Sequence, residues 1–360
     1  MKKPARIVLW ALCALMILLA PFTLSSPNML GEVKSLMTED MEEEEYEEGA
    51  GLLRFFLSTA AAEEAEAASD EDAEAAADEE PEAASGEDAE EAPLTSTYEL
   101  PVDFSVPPEP NPAGYSENGY EDESIRVRLE DREEDGVLFH LAFVQIASPT
   151  QLRTATAAAK LTSTKAATVS GMAKHNHAVV AINGDNYQDD TAKKSFEYRM
   201  TEKIRRKGNK LKDILIIDSK GDFHFFVKSE GVMDFDESEI INAWTFGPAL
   251  VIDGVVQTVD PKYGYNPGGK EPRAAIGQTG TLSYVFVIAE GRSSKSEGIS
   301  QQKLADFMGS IGCTQAFNLD GGNSGEMVFG ETIYKAMPGG SERGLNDIIY
   351  FATAVPEDNR

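Results

Sequence analysis

The sequence predicts an α+β (mixed α/β) fold: a single globular domain with a mixed multi-stranded sheet and a few helices, preceded by a disordered acidic linker. Three observations lead there. Short apolar runs bounded by Gly, Pro, Asn and Asp recur through the C-terminal part of the chain, which is how buried strands read. Clear amphipathic helical spacing appears once, after Ser300. The first quarter lacks apolar periodicity and is dominated by Glu, Asp and Ala.

From the N-terminus, Lys2, Lys3 and Arg6 precede an apolar run over 7–22, a basic flank and hydrophobic segment of secretory type. The run falls short of the about 20 residues of a membrane span, and no Ala-x-Ala cleavage signal follows. A cleaved signal peptide and an uncleaved signal-anchor both fit residues 1–30. The flank predicts a cytoplasmic N-terminus with the rest exported, hence an extracytoplasmic protein, secreted or membrane-anchored through this segment.

Residues 31–114 read as an acidic, Ala/Pro-rich disordered linker. Runs such as Glu42-Glu43-Glu44-Glu45 and Asp70-Glu71-Asp72 repel one another and bring too little apolar surface to fold. Much of the formal net charge of −30 sits in this spacer. Leu52, Leu53, Phe55, Phe56 and Leu57 interrupt it as an apolar island. A proline-rich stretch over 101–112 closes the linker, which places the domain at 115–360. The acidity excludes nucleic acid as a partner, since no basic stripe meets a phosphate backbone. Cys13 lies in the apolar run and Cys313 is alone in the domain, so no internal disulfide is available there. The about 260 residues after Thr97 suffice for a core without one.

Within the domain, 137–144 is an apolar strand, and 166–175 reads as a helix. The run 178–182 is a short buried strand leading into Asn183-Gly184-Asp185. Runs 211–218 and 223–227 flank Ser219-Lys220-Gly221-Asp222, a hairpin signal. A strand and turn follow over 244–254, then a strand pair at 272–277 and 282–289. Leu304, Phe307, Met308 and Ile311 fall on one helix face, with Ser300 as N-cap and Gly312 as the C′ residue. That helix delivers the chain to the strand 316–319.

The most informative stretch is Asn318-Leu319-Asp320-Gly321-Gly322-Asn323-Ser324-Gly325-Glu326. An apolar strand ends in Asn and Asp and gives way to glycines, which let the backbone take positive φ and approach a ligand closely. Such a loop also turns backbone N–H groups toward an anion. Ser324 is not a hydrolase nucleophile elbow: Gly322-Asn323-Ser324-Gly325-Glu326 lacks the final Gly of Gly-x-Ser-x-Gly, and no His lies in the C-terminal third. His175 and His177 read as ordinary helix-end residues, since only His140 and His224 remain to complete a metal site.

Five segments in order carry a resemblance. They are Ala181-Ile182-Asn183-Gly184-Asp185, Phe246-Gly247-Pro248-Ala249-Leu250, Pro272-Arg273-Ala274-Ala275-Ile276-Gly277, Glu297-Gly298-Ile299-Ser300 and Asn318-Leu319-Asp320-Gly321-Gly322. Together they resemble the phosphodiester glycosidase family over about 137–354. The resemblance implies hydrolysis of the bond between a sugar's anomeric carbon and a phosphodiester oxygen, with N-acetylglucosamine released in mammalian members. The chain departs from the family's usual Asp-Gly-Gly-Gly-Ser-Ser-Thr-Met, with Asn323, Gly325 and Glu326 in place of Gly, Ser and Thr. The segment 189–207 is also unusually basic and polar for the family.

A glycosyl phosphodiester has a weakly basic leaving group, so it needs less general-acid help than an ordinary glycoside. It needs donors for the phosphate and a carboxylate at the anomeric centre. Arg273 is the expected phosphate ligand, because a guanidinium matches two phosphate oxygens. Asp320 is the first choice for the carboxylate and Asp185 the second. Asn183 and Asn318 are expected to bind sugar hydroxyls or orient those acids. Gly184, Gly321, Gly322, Asn323 and Ser324 complete the substrate-binding set, and Glu326 tunes it. A divalent cation on Asp185 and Asp320 would suit phosphate chemistry, and the sequence neither requires nor excludes it. The expected protein is an exported hydrolase of N-acetylglucosamine-type sugar-1-phosphodiesters in cell-surface glycopolymers. The competing expectation is a non-catalytic cell-envelope carbohydrate-binding or scaffold protein on the same fold.

Overall fold

The computed structural model describes residues 93–158, 165–185, 196–206, 212–227, 235–336 and 341–359. The apolar run 7–22, the island at 52–57 and most of the expected linker lie outside them. No helix among the described residues is long and apolar enough to cross a membrane.

Three sheets carry the fold. The nine-stranded sheet runs, in spatial order, Tyr115–Ser116, Gly119–Glu121, Ile125–Glu134, Val137–Ile146, Ser283–Ala289, Arg273–Gly280, Gln315–Leu319, Ala249–Ile252 and Val255–Val256. One five-stranded sheet holds Phe223–Phe226, Asp213–Asp218, Ile240–Phe246, Phe196–Arg199 and Glu202–Arg206. The other holds Thr332–Ala336, Glu326–Phe329, Val180–Asn183, Asp347–Phe351 and Leu152–Thr156. Among the described residues there are two α-helices, α1 (Val169–His175) and α2 (Gln301–Ser310).

The expected single mixed sheet is thereby corrected: among the described residues every strand pairing is antiparallel, and the fold is mostly β. The reason lies in burial. The main core lies between the nine-stranded sheet and inward residues of both smaller sheets, including Ile276, Phe317, Ile182, Met327 and Trp244. The opposite face of the nine-stranded sheet is covered by α2, whose Leu304, Phe307 and Met308 pack on Phe139, Val285 and Val287. The outer face of the second five-stranded sheet is covered by α1, through Val169, Met172 and Ala173 on Ala181, Ile348 and Tyr350. Strands apolar on both faces therefore arise from an antiparallel sandwich with outer helices, and not from parallel crossover units. Each such large apolar side chain contributes about 1.5–3 kcal/mol.

The helix after Ser300 forms as read. Ser300 caps it by accepting from the Lys303 N–H, and Gly312 takes φ +84°. The Gly312 and Cys313 N–H groups return to the Gly309 and Met308 carbonyls, the 5→2 and 6→1 bonds of a Schellman motif. The hairpin around 219–222 also forms, with Phe223 opposite Ile217. The helix expected at 166–175 starts later, at Val169, where Thr168 caps the Gly171 N–H.

Among the described residues, packing reaches back before the expected start at Tyr115. Leu100 lies in the core beside α1. Buried Arg153 donates to the carbonyls of Pro101, Asp103 and Ser105, which binds that proline-rich stretch to the edge of the sheet.

Candidate active site

The strand Gln315–Leu319 belongs to the nine-stranded sheet and Glu326–Phe329 to a five-stranded one, so the 320–325 loop crosses from sheet to sheet at strand ends. Val180–Asn183 pairs beside Glu326–Phe329 and ends at the same place. The buried Asn183 side chain closes this junction. Its amide donates to the Asp320 carbonyl at 2.7 Å and to the Gly184 carbonyl at 3.1 Å, while its oxygen accepts from the Glu326 N–H at 3.1 Å. Two of the sequence motifs are thus held together by one side chain.

The loop itself is tightly turned. Gly322 takes φ +59° and donates its N–H to the Pro272 carbonyl at 2.9 Å. That amide, expected to face an anion, is therefore taken up internally. A Cβ on Gly321 would stand 2.6 Å from the same carbonyl. Asp320 is partly exposed, Asn323 is exposed and Ser324 is buried.

Two arginines that the sequence reading did not select flank this loop. Arg292 donates from Nη1 to Asn323 Oδ1 at 2.9 Å. Its Nε and Nη2 hold Glu271 at 2.8 and 2.7 Å, and Asn266 fixes the other oxygen of Glu271 at 2.9 Å. Its backbone is left-handed, at φ +57°. On the other flank, Arg343 donates to Ser324 Oγ at 2.9 Å. The sequence signal for Arg292 was Glu290-Gly291-Arg292 at the end of the Ser283–Ala289 strand, a third strand end carrying polar residues. Arg343 had no such signal.

Arg273, the expected phosphate ligand, is placed otherwise. Its guanidinium donates to the carbonyls of Ile299, Tyr265, Asn266 and Gly269 at 2.7–3.1 Å, and the side chain is buried. It fastens the 265–269 loop and directs no described donor toward the 320–325 loop. Asn318 donates to the Gly247 carbonyl at 2.8 Å, tethering the cis Gly247–Pro248 bond to its strand.

Asp185 enters a buried hub centred on Arg199. Arg199 Nε donates to Asp347 Oδ2 at 2.7 Å, Nη1 to Glu197 Oε2 at 3.1 Å, and Nη2 to Asp185 Oδ1 at 3.2 Å. The Trp244 ring lies under the guanidinium at 4.7 Å, and its N–H donates to Asp347 Oδ2 at 3.0 Å. Burial raises the Asp185 carboxyl well above the usual range, helped by the Glu197 charge and opposed by Arg199. Burial raises Asp347 as well, against the pull of Arg199. Three carboxyl groups around one guanidinium favour a neutral acid among them, and Asp185 carries the larger upward push. Gly184 sits against this hub, where a Cβ would come within 2.4 Å of Asp347 Oδ1.

A cation shared by Asp185 and Asp320 does not suit this arrangement, because the Asp185 carboxyl is buried against the Arg199 guanidinium. Among the described residues no group of three or more His, Cys, Asp or Glu could hold a metal ion. His177 hydrogen-bonds the Pro107 carbonyl at 2.9 Å.

The chain is 26% identical over 196 residues to the SPbeta prophage-derived uncharacterized protein YomE of Bacillus subtilis (strain 168), covering 53% of this chain and 30% of that protein's length. The fold is similar to the catalytic domain of zebrafish N-acetylglucosamine-1-phosphodiester alpha-N-acetylglucosaminidase auto-inhibited by its pro-peptide. That match has a TM-score of 0.50 and 14% identity, and covers 64% of this chain and 83% of that one. A hypothetical protein from Synechocystis matches with a TM-score of 0.51 and 14% identity, over 64% of this chain and 62% of its own. At such identity the likeness is one of fold. Residues 176–352, which carry the Asn183 clasp, the Arg199 hub and the 320–325 loop, match the phosphodiester glycosidase family.

Proposed function

We propose that this chain hydrolyses the glycosyl–phosphate bond of sugar-1-phosphodiesters. The observation that carries the reading is the 320–325 loop: Asp320, a partly exposed residue whose carboxylate has Oδ2 buried, on a glycine turn flanked by the guanidinium groups of Arg292 and Arg343. An anion with a sugar attached needs that combination, cationic donors for the phosphate beside a carboxylate for the anomeric carbon.

In this reading Arg292, half-exposed and fixed by Glu271, takes the phosphate oxygens. Asp320 activates the attacking water or stabilises the positive charge that develops at the anomeric carbon. The C–O bond between that carbon and the phosphate breaks, the phosphate monoester departs with the electron pair, and water supplies the new hydroxyl. Little proton donation is required, since the departing phosphate is weakly basic. Asn183 positions Asp320 through its main-chain carbonyl, and Asp185 supports Asn183-Gly184 from the buried hub. Exposed Asn323, in place of a glycine, adapts the same site to its own aglycone.

The substrate class is N-acetylglucosamine-type phosphodiesters in cell-envelope glycopolymers, supported by the family and by the basic flank and apolar run at the N-terminus. To test it, the full chain is incubated with methyl N-acetylglucosamine-1-phosphate and free sugar is assayed. Release that disappears in Asp320→Asn supports the reading. Retained binding of the sugar phosphate without release at any pH replaces it with a non-catalytic carbohydrate-binding role.

A further inference from the structure

We propose that Glu326 and Glu342 share one proton and that this acid pair holds Arg343 on the 320–325 loop, which makes Glu326 a positioning residue for the anion; the inference rests on the phosphodiester reading above. Glu342 is fixed from α1, whose Ser170 N–H and hydroxyl donate to its two carboxyl oxygens at 3.0 and 2.7 Å. The Glu326 carboxyl lies hydrogen-bonded against it. Glu326 is 4% exposed, and its Oε1 has no hydrogen-bond partner among the described residues. A buried ionised carboxylate demands N–H or O–H donors, and none is offered to that oxygen. Two carboxyl groups in contact are compatible only with one proton between them.

The proton belongs on Glu326. Against its own burial, Glu342 is held below the usual range first by the hydrogen bond with Glu326 and then by the Ser170 hydroxyl and N–H. Burial, and then the hydrogen bond and charge of Glu342, push Glu326 up to about 8. Among the described residues, the charged side chains nearest the pair are engaged elsewhere. Lys174 of α1 pairs with Glu331, Lys335 of the adjacent strand with Glu290, and Arg343 with Ser324.

Arg343 follows Glu342 directly, so whatever fixes Glu342 also fixes Arg343 against Ser324. At neutral pH the pair adds a single charge, on the partly exposed Glu342, and keeps the guanidinium in place. Loss of the shared proton sets two carboxylates against each other, loosens the 341–345 segment and places a new negative charge one residue beyond the loop. The anion then meets a weaker site.

Calorimetric binding of N-acetylglucosamine-1-phosphate to the full chain tests this, at about pH 7 and about pH 9.5, between which the ligand only completes its conversion to the dianion. Wild type is expected to bind roughly three- to tenfold more weakly at the higher pH, the scale of one added charge at screened distance. Glu326→Gln, which keeps a donor toward Glu342, is expected to bind as wild type does at neutral pH and to lose that fall. Arg343→Gln is expected to show the weaker affinity already at neutral pH. Binding independent of pH in wild type, or an undiminished fall in Glu326→Gln, overturns the proposal. If the ligand binds at neither pH, the phosphodiester reading fails. The acid pair is then decided by carboxyl carbon NMR, where the absence of a Glu titrating near 8 in wild type overturns it.

Discussion

Asn183 donates from its side-chain amide to the main-chain carbonyl of Asp320 at 2.7 Å, across 137 residues of sequence. The same side chain accepts from the Glu326 N–H, so it grips both ends of the 320–325 loop. Asn183→Asp removes the donor while keeping the size, and sets a carboxylate against two carbonyls. The expected result is a loss of about 2–3 kcal/mol in unfolding free energy, with kcat reduced at least tenfold. Urea unfolding and steady-state kinetics on the same preparation check it. Unchanged stability would mean that the clasp does not hold the loop.

Arg273 and Arg292 are predicted to separate cleanly. Arg273→Ala leaves four carbonyls without their donor, so it destabilises by on the order of 3 kcal/mol and lowers activity through loss of folded protein. Arg292 is an exposed side chain in a surface pair with Glu271, so Arg292→Ala shifts stability by no more than about 0.5 kcal/mol. It raises KM for a phosphodiester roughly tenfold or more, as expected for a charge-assisted phosphate contact. Thermal melts and KM values for both variants give the comparison; an Arg273→Ala enzyme of normal stability with raised KM would return the phosphate to Arg273.

What the sequence disclosed and what it hid divide along physical lines. The α2 helix and the 219–222 hairpin were legible because local signals decide them: a capped amphipathic turn and a Gly-Asp turn. The strand Ile125–Glu134 was passed over, although Ile125, Val127 and Leu129 face the core at period two, because its intervening residues are Arg and Glu. The junction of Asn183 with Asp320 was legible as a pair of polar strand ends. The role of Arg273 was not, because four carbonyls brought together by loop geometry leave no mark in sequence spacing. Nor was the Arg199 hub, whose members Asp185, Glu197, Trp244 and Asp347 meet only through tertiary packing.

Gly321 carries a sharper expectation than its neighbour. A Cβ there would stand 2.6 Å from the Pro272 carbonyl and 3.0 Å from Arg273 Cα, both backbone atoms that cannot swing aside. Gly321→Ala therefore displaces the loop that presents Asp320, at an expected cost of about 1–3 kcal/mol. Activity should fall further than stability, because Asp320 adjoins the displaced residue and catalysis tolerates little misplacement. A differential scanning melt and kcat/KM on the same sample decide it. A variant with wild-type kcat/KM would remove the 320–325 loop from the site.

Stability should also carry the signature of Glu326. Its folded-state value is raised from 4.5 to about 8, so the native state binds this proton more tightly than the unfolded chain does. By linkage, that contribution is fully present below the unfolded value and is lost as pH rises through the folded one, a window from about 4.5 to 8. Glu342 is shifted the opposite way, so its contribution changes only below about 4.5, outside this window. Asp185 and Asp347 are also raised, and their buried carboxyls add a decline of the same sign. Comparison with Glu326→Gln isolates the one group, since the variant keeps the other three. Urea midpoints measured between about pH 5 and pH 8.5 should fall more steeply in wild type than in Glu326→Gln. Parallel curves for the two proteins would show that Glu326 is already ionised at low pH, and that Glu342 meets it as a carboxylate.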